Sequence, residues 1–460
     1  MTSLVRSEQA GIVATKKITD FVADIQYENL PDSAVELSKH CFLDWLGVAI
    51  AGSREPLVDM LLAQAEDEGG NRLCSLVGRE NRCAPGWAAL INGAASHALD
   101  FDDVVSAMGG HPSVPVFPAL LASVEVRRTR TTGRQFIAAF IAGFEAECQV
   151  GTLAAPGHYA RGFHATGTVG TFGAAAACAH LQQFDSDMWQ TAFGLAAAQA
   201  AGLKCMFGTM TKPFHAGKAA ANGFLAASLT ARGFSANQTV LEADQGFIAT
   251  QADGLNWEGV QGLYDELGIA KVMFKYHAAC YLTHATIEAI FKLQSEHQVT
   301  ALDVAEIVVK VPPGHLRVCN IQNPETGLEA KFSIRFTTAL AFHGRPTDDH
   351  AFNDEAARDP DLVALRDRVT VKPVESLPNN YCSEVEVLLS NGRKLQSSAD
   401  VSRATPHHEM PDQWKRLVAK FVGLVEPVLG SNAARALIDS VASLEDFDDM
   451  KSIISLTQAK

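Results

Sequence analysis

No Cys-x-x-Cys pair occurs in this chain, although it carries nine cysteines. The thiols are scattered and odd in number, and Cys41 and Cys178 lie inside apolar helical stretches. That pattern excludes a regular zinc ribbon and a disulfide framework. It implies reduced, buried thiols and a cytoplasmic setting. Gly-x-Ser-x-Gly, the P-loop, His-Glu-x-x-His and basic patches interleaved with aromatics are also missing, which removes support for hydrolase, NTPase, zincin and RNA-binding readings. Positive charge is in deficit: the formal net charge is −14, so the overall field attracts neither nucleic acid nor an anionic membrane. Any anionic substrate must then be drawn in by a local cluster of Lys, Arg and His. Apolar windows are broken by Gly, Thr, His or charges before they reach about 18 residues, so no membrane span is expected. Residues 1–17 mix charges with short apolar patches and show no secretory leader.

What the chain does have is 47% hydrophobic residues over 460 positions, enough for two packed domains. From Pro31 to Thr230 the pattern is helical. Asp32 is expected to cap a helix through Val35, Phe42, Trp45 and Val48 that Gly52 ends. Two stretches, Gly167–His180 and Thr191–Leu203, consist almost wholly of small residues and read as buried helices packed closely together. The texture changes near Leu267. Ala305–Val311, Arg368–Lys372 and Ser383–Leu389 alternate as strands do, and Asn391-Gly392 marks a hairpin leading into Arg393–Ser398. Helical patterns resume at Trp414–Val428 and Ala433–Leu444. The expected fold is mainly α: a large all-helical domain (residues 1–266), an inserted smaller α+β lid domain (267–402), and C-terminal helices (403–460) that rejoin the first domain. A cleft between two such domains is the default location of a site.

Four segments place polar groups in small-residue, apolar surroundings. Ser96–Pro112 (S-H-A-L-D-F-D-D-V-V-S-A-M-G-G-H-P) brings Asp100, Asp102, Asp103 and His111 to a helix end and a Gly-rich loop. Carboxylate and imidazole are the usual acid–base pair near neutral pH. Solvated helix-end charges, or a Mg²⁺ site of three aspartates, are the other readings. Arg161–Gly170 (R-G-F-H-A-T-G-T-V-G) sets Arg161 and His164 just before a helix whose first N–H groups suit a carboxylate. Its glycines also fit plain helix packing, and no strand precedes them, so a dinucleotide fingerprint is not supported. Gly208–Asn222 (G-T-M-T-K-P-F-H-A-G-K-A-A-A-N) puts Thr211 and Lys212 at another helix start, where cations call for an anion nearby unless they are ordinary surface lysines. Lys271–His284 holds Lys271, Lys275, His277 and Cys280 at the domain junction, as a basic wall or as junction packing, without standard zinc spacing. Ser333 and Arg335, with Lys331, lie on a short amphipathic stretch that could add to that wall.

In this order, the four segments and L-D-W-L-G-V-A-I-A-G (Leu43–Gly52) resemble the MmgE/PrpD family. The most specific matches are H-A-L-D-F-D-D with H-P-S, G-F-H-A-T-G-T-V-G and T-K-P-F-H-A-G. Each is weak alone, but the ordered set, running over nearly the whole chain, is strong. The family includes 2-methylcitrate dehydratases, cis-aconitate decarboxylases and iminodisuccinate epimerases. The resemblance implies a helical domain with an inserted lid, a homodimer, and a small polycarboxylate substrate handled without cofactor or metal. It places Asp100, His111, His164 and Lys212 on the family's active-site positions. The expected chemistry is removal of a proton α to a carboxylate, with His164 or Asp100 as base and His111 as its partner. Lys212 and helix-start N–H groups would stabilise the developing dianion. Arg161, Thr211, Lys271, Lys275, His277, Cys280, Ser333 and Arg335 are the candidate substrate-binding residues. A histidine is expected in the decarboxylases where Cys280 aligns and a threonine where Val104 does, and Phe332–Phe336 lacks their tyrosines. Dehydration is therefore the favoured chemistry, epimerisation the alternative and decarboxylation the least favoured. A non-catalytic metabolite-binding dimer is the reading outside enzymes.

Overall fold

The computed structural model describes residues 13–264 and 266–459. Most of residues 1–17, read above for a secretory leader, lies outside them. Helix α1 (Asp32–Gly52) is apolar on nearly every face and is buried accordingly, with Trp45 and Phe42 in the core. Asp32 does not cap it. Pro31 holds the cap position without a side-chain bond, and Asp32 falls in the first turn, where its charge complements the helix dipole. Gly52 is the last helical residue, and it is needed for contact: a Cβ there would lie 2.0 Å from the Ala95 carbonyl oxygen.

Helix α2 (Pro85–Ala98) opens with Pro at its first position and runs beside α1. It is followed by α3 (Ser113–Val126), α4 (Gly133–Ala154, with a Thr132/Gln135 capping box), α5 (Ala165–Leu181), α6 (Ser186–Ala197) and α7 (Thr211–Thr230). Helix α7 packs across α2 and α5, and α5 packs against α4. Small residues make these approaches possible: a Cβ on Gly217 would stand 2.2 Å from the Leu90 oxygen, and one on Gly223 2.4 Å from Ala174 Cβ. By composition α4 is long and apolar enough to cross a membrane, contrary to the window reading, and in the fold it is buried among its neighbours. Helix α6 stops short of the expected Leu203. The chain leaves it to pair beside the site, where His164 N–H donates to Gly202 O at 3.0 Å and Phe163 bridges Leu203.

The second region forms a four-stranded sheet of order β2-β1-β3-β4: β1 (Val304–Val311), β2 (Val369–Pro373), β3 (Cys382–Leu389) and β4 (Lys394–Asp400). Strands β1 and β2 are parallel (Ile307 opposite Val369), while β1/β3 and β3/β4 are antiparallel. The β3–β4 hairpin turns at Gly392, φ 83°. Helix α8 (His284–His297) lies against β3 and β4, and α9 (Ile334–Phe342) against α8. The final long helices, α10 (Met410–Leu429) and α11 (Ser431–Ala442), return to the helical region, where α10 packs on α1. A ribbon of two two-residue strands, Cys74–Ser75 and Arg82–Cys83, is too short for alternation to reveal.

Candidate active site

Helix α2 ends at Ala98, and the next residues turn sharply: Asp100 has φ 49°, the left-handed region that a non-glycine residue rarely adopts. This turn and the start of α7 meet. Lys212 Nζ donates to Asp100 Oδ1 at 2.7 Å and to His97 Nε2 at 2.9 Å. Because lysine has only donors, His97 must accept through Nε2 and carry its proton on Nδ1, which lies 3.0 Å from both Asp102 oxygens. Lys275 Nζ donates to the same Asp100 oxygen at 2.9 Å and to the Asp100 carbonyl at 2.8 Å. His111 completes the cluster. Its Nδ1 is 2.9 Å from Asp102 Oδ2, off the hydrogen-bond direction, and its Nε2 is 3.8 Å from Asp100 Oδ1. The His97 and His111 rings stand 4.5 Å apart.

His164 holds the position just before α5 and places its Nδ1 3.0 Å from His215 Nδ1, with its ring 5.9 Å from that of His97. Two long helices, α5 and α7, thus present their N-termini beside the lysine–histidine cluster, a field that favours an anion.

Burial sets the protonation states. Although burial opposes ionisation, the Lys212 and Lys275 ammonium groups hold Asp100 well below the usual carboxylate range. Asp102 is likewise held well down, against burial, by His111 and His97. Burial pushes His97 down to about 3 and His164 well below the usual imidazole range, so these two stay neutral; burial also lowers His111, where the Asp102 charge opposes it. Asp103 goes the other way: burial and then the Asp44 charge raise it to about 8, and it accepts from Ser113 Oγ at 2.6 Å. The three aspartates therefore do not act as one acidic ligand set. His97, Asp100, Asp102 and His111 each bring one ligand atom within 4.8 Å of the others, but the counter-charge at Asp100 Oδ1 comes from the two ammonium groups.

Among the expected binding residues, Lys275 is in the cluster, fully buried on Asp100. Cys280 lies near it, its N–H donated to Lys331 O at 3.0 Å; a hydrogen bond with the Cys319 thiol lowers Cys280 and burial raises Cys319. The others are occupied elsewhere. Arg161 pairs with Asp253 at 3.0 Å and Lys271 with Glu266 at 3.4 Å, both near the surface. Half-buried Thr211 opens α7, with its N–H on Thr209 Oγ1. His277 bonds Thr347 Oγ1 at 2.7 Å and Glu288 at 3.1 Å, and lines a cavity of about 200 Å³ with His284, Tyr281 and Arg416. Ser333 caps α9 by accepting from Phe336 N, and Arg335 donates to Asn320 at 2.7 Å. These residues are amphipathic or basic in sequence, and tertiary partners claim the charge that sequence position left free. His97 was missed. It sits in the same motif as Asp100, but on the helix side, where a histidine reads as core; its five-residue spacing to Asp102 was the available signal.

A helical core joined to a sheet region, with a buried cluster of imidazoles, carboxylates and ammonium groups gathered at the helix ends, defines a two-domain, mainly helical enzyme. The family model described as the MmgE/PrpD N-terminal domain matches residues 16–259, and the MmgE/PrpD C-terminal domain matches 277–446. The chain belongs to the MmgE/PrpD family. It is 26% identical over 462 residues to cis-aconitate decarboxylase of Homo sapiens, covering 96% of this chain and 94% of that one. It is 24% identical over 484 residues to cis-aconitate decarboxylase of Aspergillus terreus, covering 99% of this chain and 98% of that one.

Proposed function

We propose that the protein removes a proton α to a carboxylate of a small di- or tricarboxylate, and that dehydration of a 2-methylcitrate-like hydroxy acid is its reaction. The observation that carries this reading is the junction of Lys212, Asp100 and His97 beside two helix N-termini. It is a preorganised cationic rim around the neutral imidazoles of His97 and His164, suited to an anion whose charge grows as the C–H bond breaks.

In this scheme His164 is the base. Its Nδ1 is engaged with His215, which leaves Nε2 for the substrate. Asp100 is a poor base, since two ammonium groups hold it ionised. It is better suited to orient Lys212, whose remaining N–H supports the substrate carboxylate as the aci-carboxylate dianion develops. His111, beside Asp102, protonates the departing hydroxyl. The C–H and C–O bonds break, a C=C bond forms, and water leaves with the proton from His111. Epimerisation would use the same base, with His111 delivering a proton to the opposite face of the carbon.

Decarboxylation is the second reading, favoured by the relatives that are cis-aconitate decarboxylases. Against it stands Cys280, where those enzymes are expected to carry histidine. Proton NMR in D₂O with citrate, 2-methylcitrate, cis-aconitate and iminodisuccinate, with and without EDTA, separates the branches. Loss of the hydroxy acid with appearance of the unsaturated acid, insensitive to EDTA, supports dehydration. Loss of a carboxyl group supports decarboxylation, and silence across the panel overturns the proposal in favour of a binder.

A further inference from the structure

The turn that follows α2, past its last residue Ala98, leaves backbone carbonyls outside the helical hydrogen-bond ladder. Three successive ones are each met by a buried lysine from a different part of the chain. Lys331 Nζ donates to Leu99 O at 2.6 Å, Lys275 Nζ to Asp100 O at 2.8 Å, and Lys420 Nζ to Phe101 O at 2.6 Å. Lys331 comes from the segment leading into α9, beside the sheet, and Lys420 from α10. Lys420 also donates to Lys275 O at 3.0 Å and to Asp44 Oδ1 at 2.6 Å, so one ammonium group ties together both backbones of the Asp100–Lys275 contact.

Burying a lysine is costly, and filler alone would be served better by methionine. Three charged donors converge on the one turn that holds Asp100 at φ 49°. A left-handed non-glycine residue persists where its surroundings over-determine it, and charge-assisted hydrogen bonds are strong enough to do so.

We infer that Lys331 and Lys420 are positioning residues for the Asp100 carboxylate: with Lys275 they clamp the carbonyls of Leu99, Asp100 and Phe101. The clamp couples docking of the sheet region and of the C-terminal helix to the geometry of the acid–base cluster. Its kinetic consequence rests on the proposed function; its structural consequence does not.

The test uses the full chain in three variants. Lys331→Met removes one clamp, D44N/K420M removes a clamp together with the charge it neutralises, and Lys420→Arg keeps a donor. Amide hydrogen exchange is followed in the unliganded protein over the peptide spanning residues 96–104. Kinetics are measured with whichever acid the wild type consumes. Exchange in that peptide should quicken about tenfold in Lys331→Met and in D44N/K420M, while peptides from α4 and α5 keep their rates. The kcat should fall about 100-fold with KM changed less than about threefold, and Lys420→Arg should recover most of it. Unchanged exchange at 96–104 overturns the clamp. Uniform loosening of α4 and α5 as well shows a merely structural role and also overturns it, as does local loosening with kcat intact. If the wild type consumes no acid, the exchange arm alone decides the clamp, and the proposed function fails separately.

Discussion

Lys212 Nζ lies 2.7 Å from Asp100 Oδ1, although the two residues are 112 positions apart. The contact joins the N-terminus of one helix to the strained turn that follows another. Each ion has a further partner: Asp100 also meets Lys275, and Lys212 also meets His97. Lys212→Ala should therefore leave a folded protein, because Asp100 keeps one ammonium group. Turnover should fall by about 10²–10³ or more, the usual effect of losing a donor aimed at developing charge. Steady-state kinetics beside circular dichroism checks both halves, and near-wild-type kcat would remove Lys212 from the chemistry.

Asp102 faces two imidazoles, His97 and His111. Asp102→Asn takes away the acceptor that fixes the His97 tautomer and the charge that supports protonated His111 against burial. The kcat should drop about 10²-fold or more. If His111 is the acid, its activity limb lies on the alkaline side and moves to lower pH in the variant. A kcat–pH profile measured on both proteins reads the shift.

Asp103 gives a stability signature of definite sign. Its folded value is raised to about 8 from an ordinary 3.8, so between these values the folded state binds the proton more readily than the unfolded chain. Its contribution to stability is therefore fully present below about pH 4 and declines as pH rises to about 8, with a slope of up to about 1.4 kcal/mol per pH unit. Buried neutral histidines such as His97 act oppositely below the ordinary histidine value, so the diagnostic is a difference. Asp103→Asn should lose this decline, and thermal melts at pH 5, 6, 7 and 8 should show the variant gaining on the wild type as pH rises.

Gly217 is where α7 touches α2. Adding a methyl group would bring carbon to 2.2 Å from the Leu90 oxygen, a backbone atom that cannot rotate away. Gly217→Ala should destabilise the protein by about 1–3 kcal/mol despite alanine's better helix propensity. Denaturant melts of the variant measure it; an unchanged midpoint would mean the helices have room to separate.

The helical pattern was legible because apolar and small residues recur along the chain with the period of the elements they build. Val35, Phe42, Trp45 and Val48 announced α1, and the alternation of Ser383–Leu389 together with Asn391-Gly392 announced β3 and its hairpin. Gly52 was legible as a boundary but not as a contact, since the Ala95 carbonyl that excludes a Cβ belongs to another helix. Motif content brought out Asp100, His111, His164 and Lys212, because reactive side chains interrupting small apolar residues stand out locally.

Residues whose meaning depends on a distant partner were not legible. Lys271, His277 and Arg335 looked like a basic wall and Arg161 like a substrate-binding residue, yet their charges or donors are taken by Glu266, Glu288, Asn320 and Asp253. Lys420, on an ordinary amphipathic helix, gave no local sign that its ammonium group would reach Phe101 and Lys275. The sequence by itself determined the periodicities, the turn chemistry and the inventory of acid–base groups, since these are properties of neighbours along the chain. Only the tertiary structure decided which charges meet. A lysine gains its function from the carboxylate or carbonyl within about 3 Å of it, and that neighbour is chosen by packing hundreds of residues away.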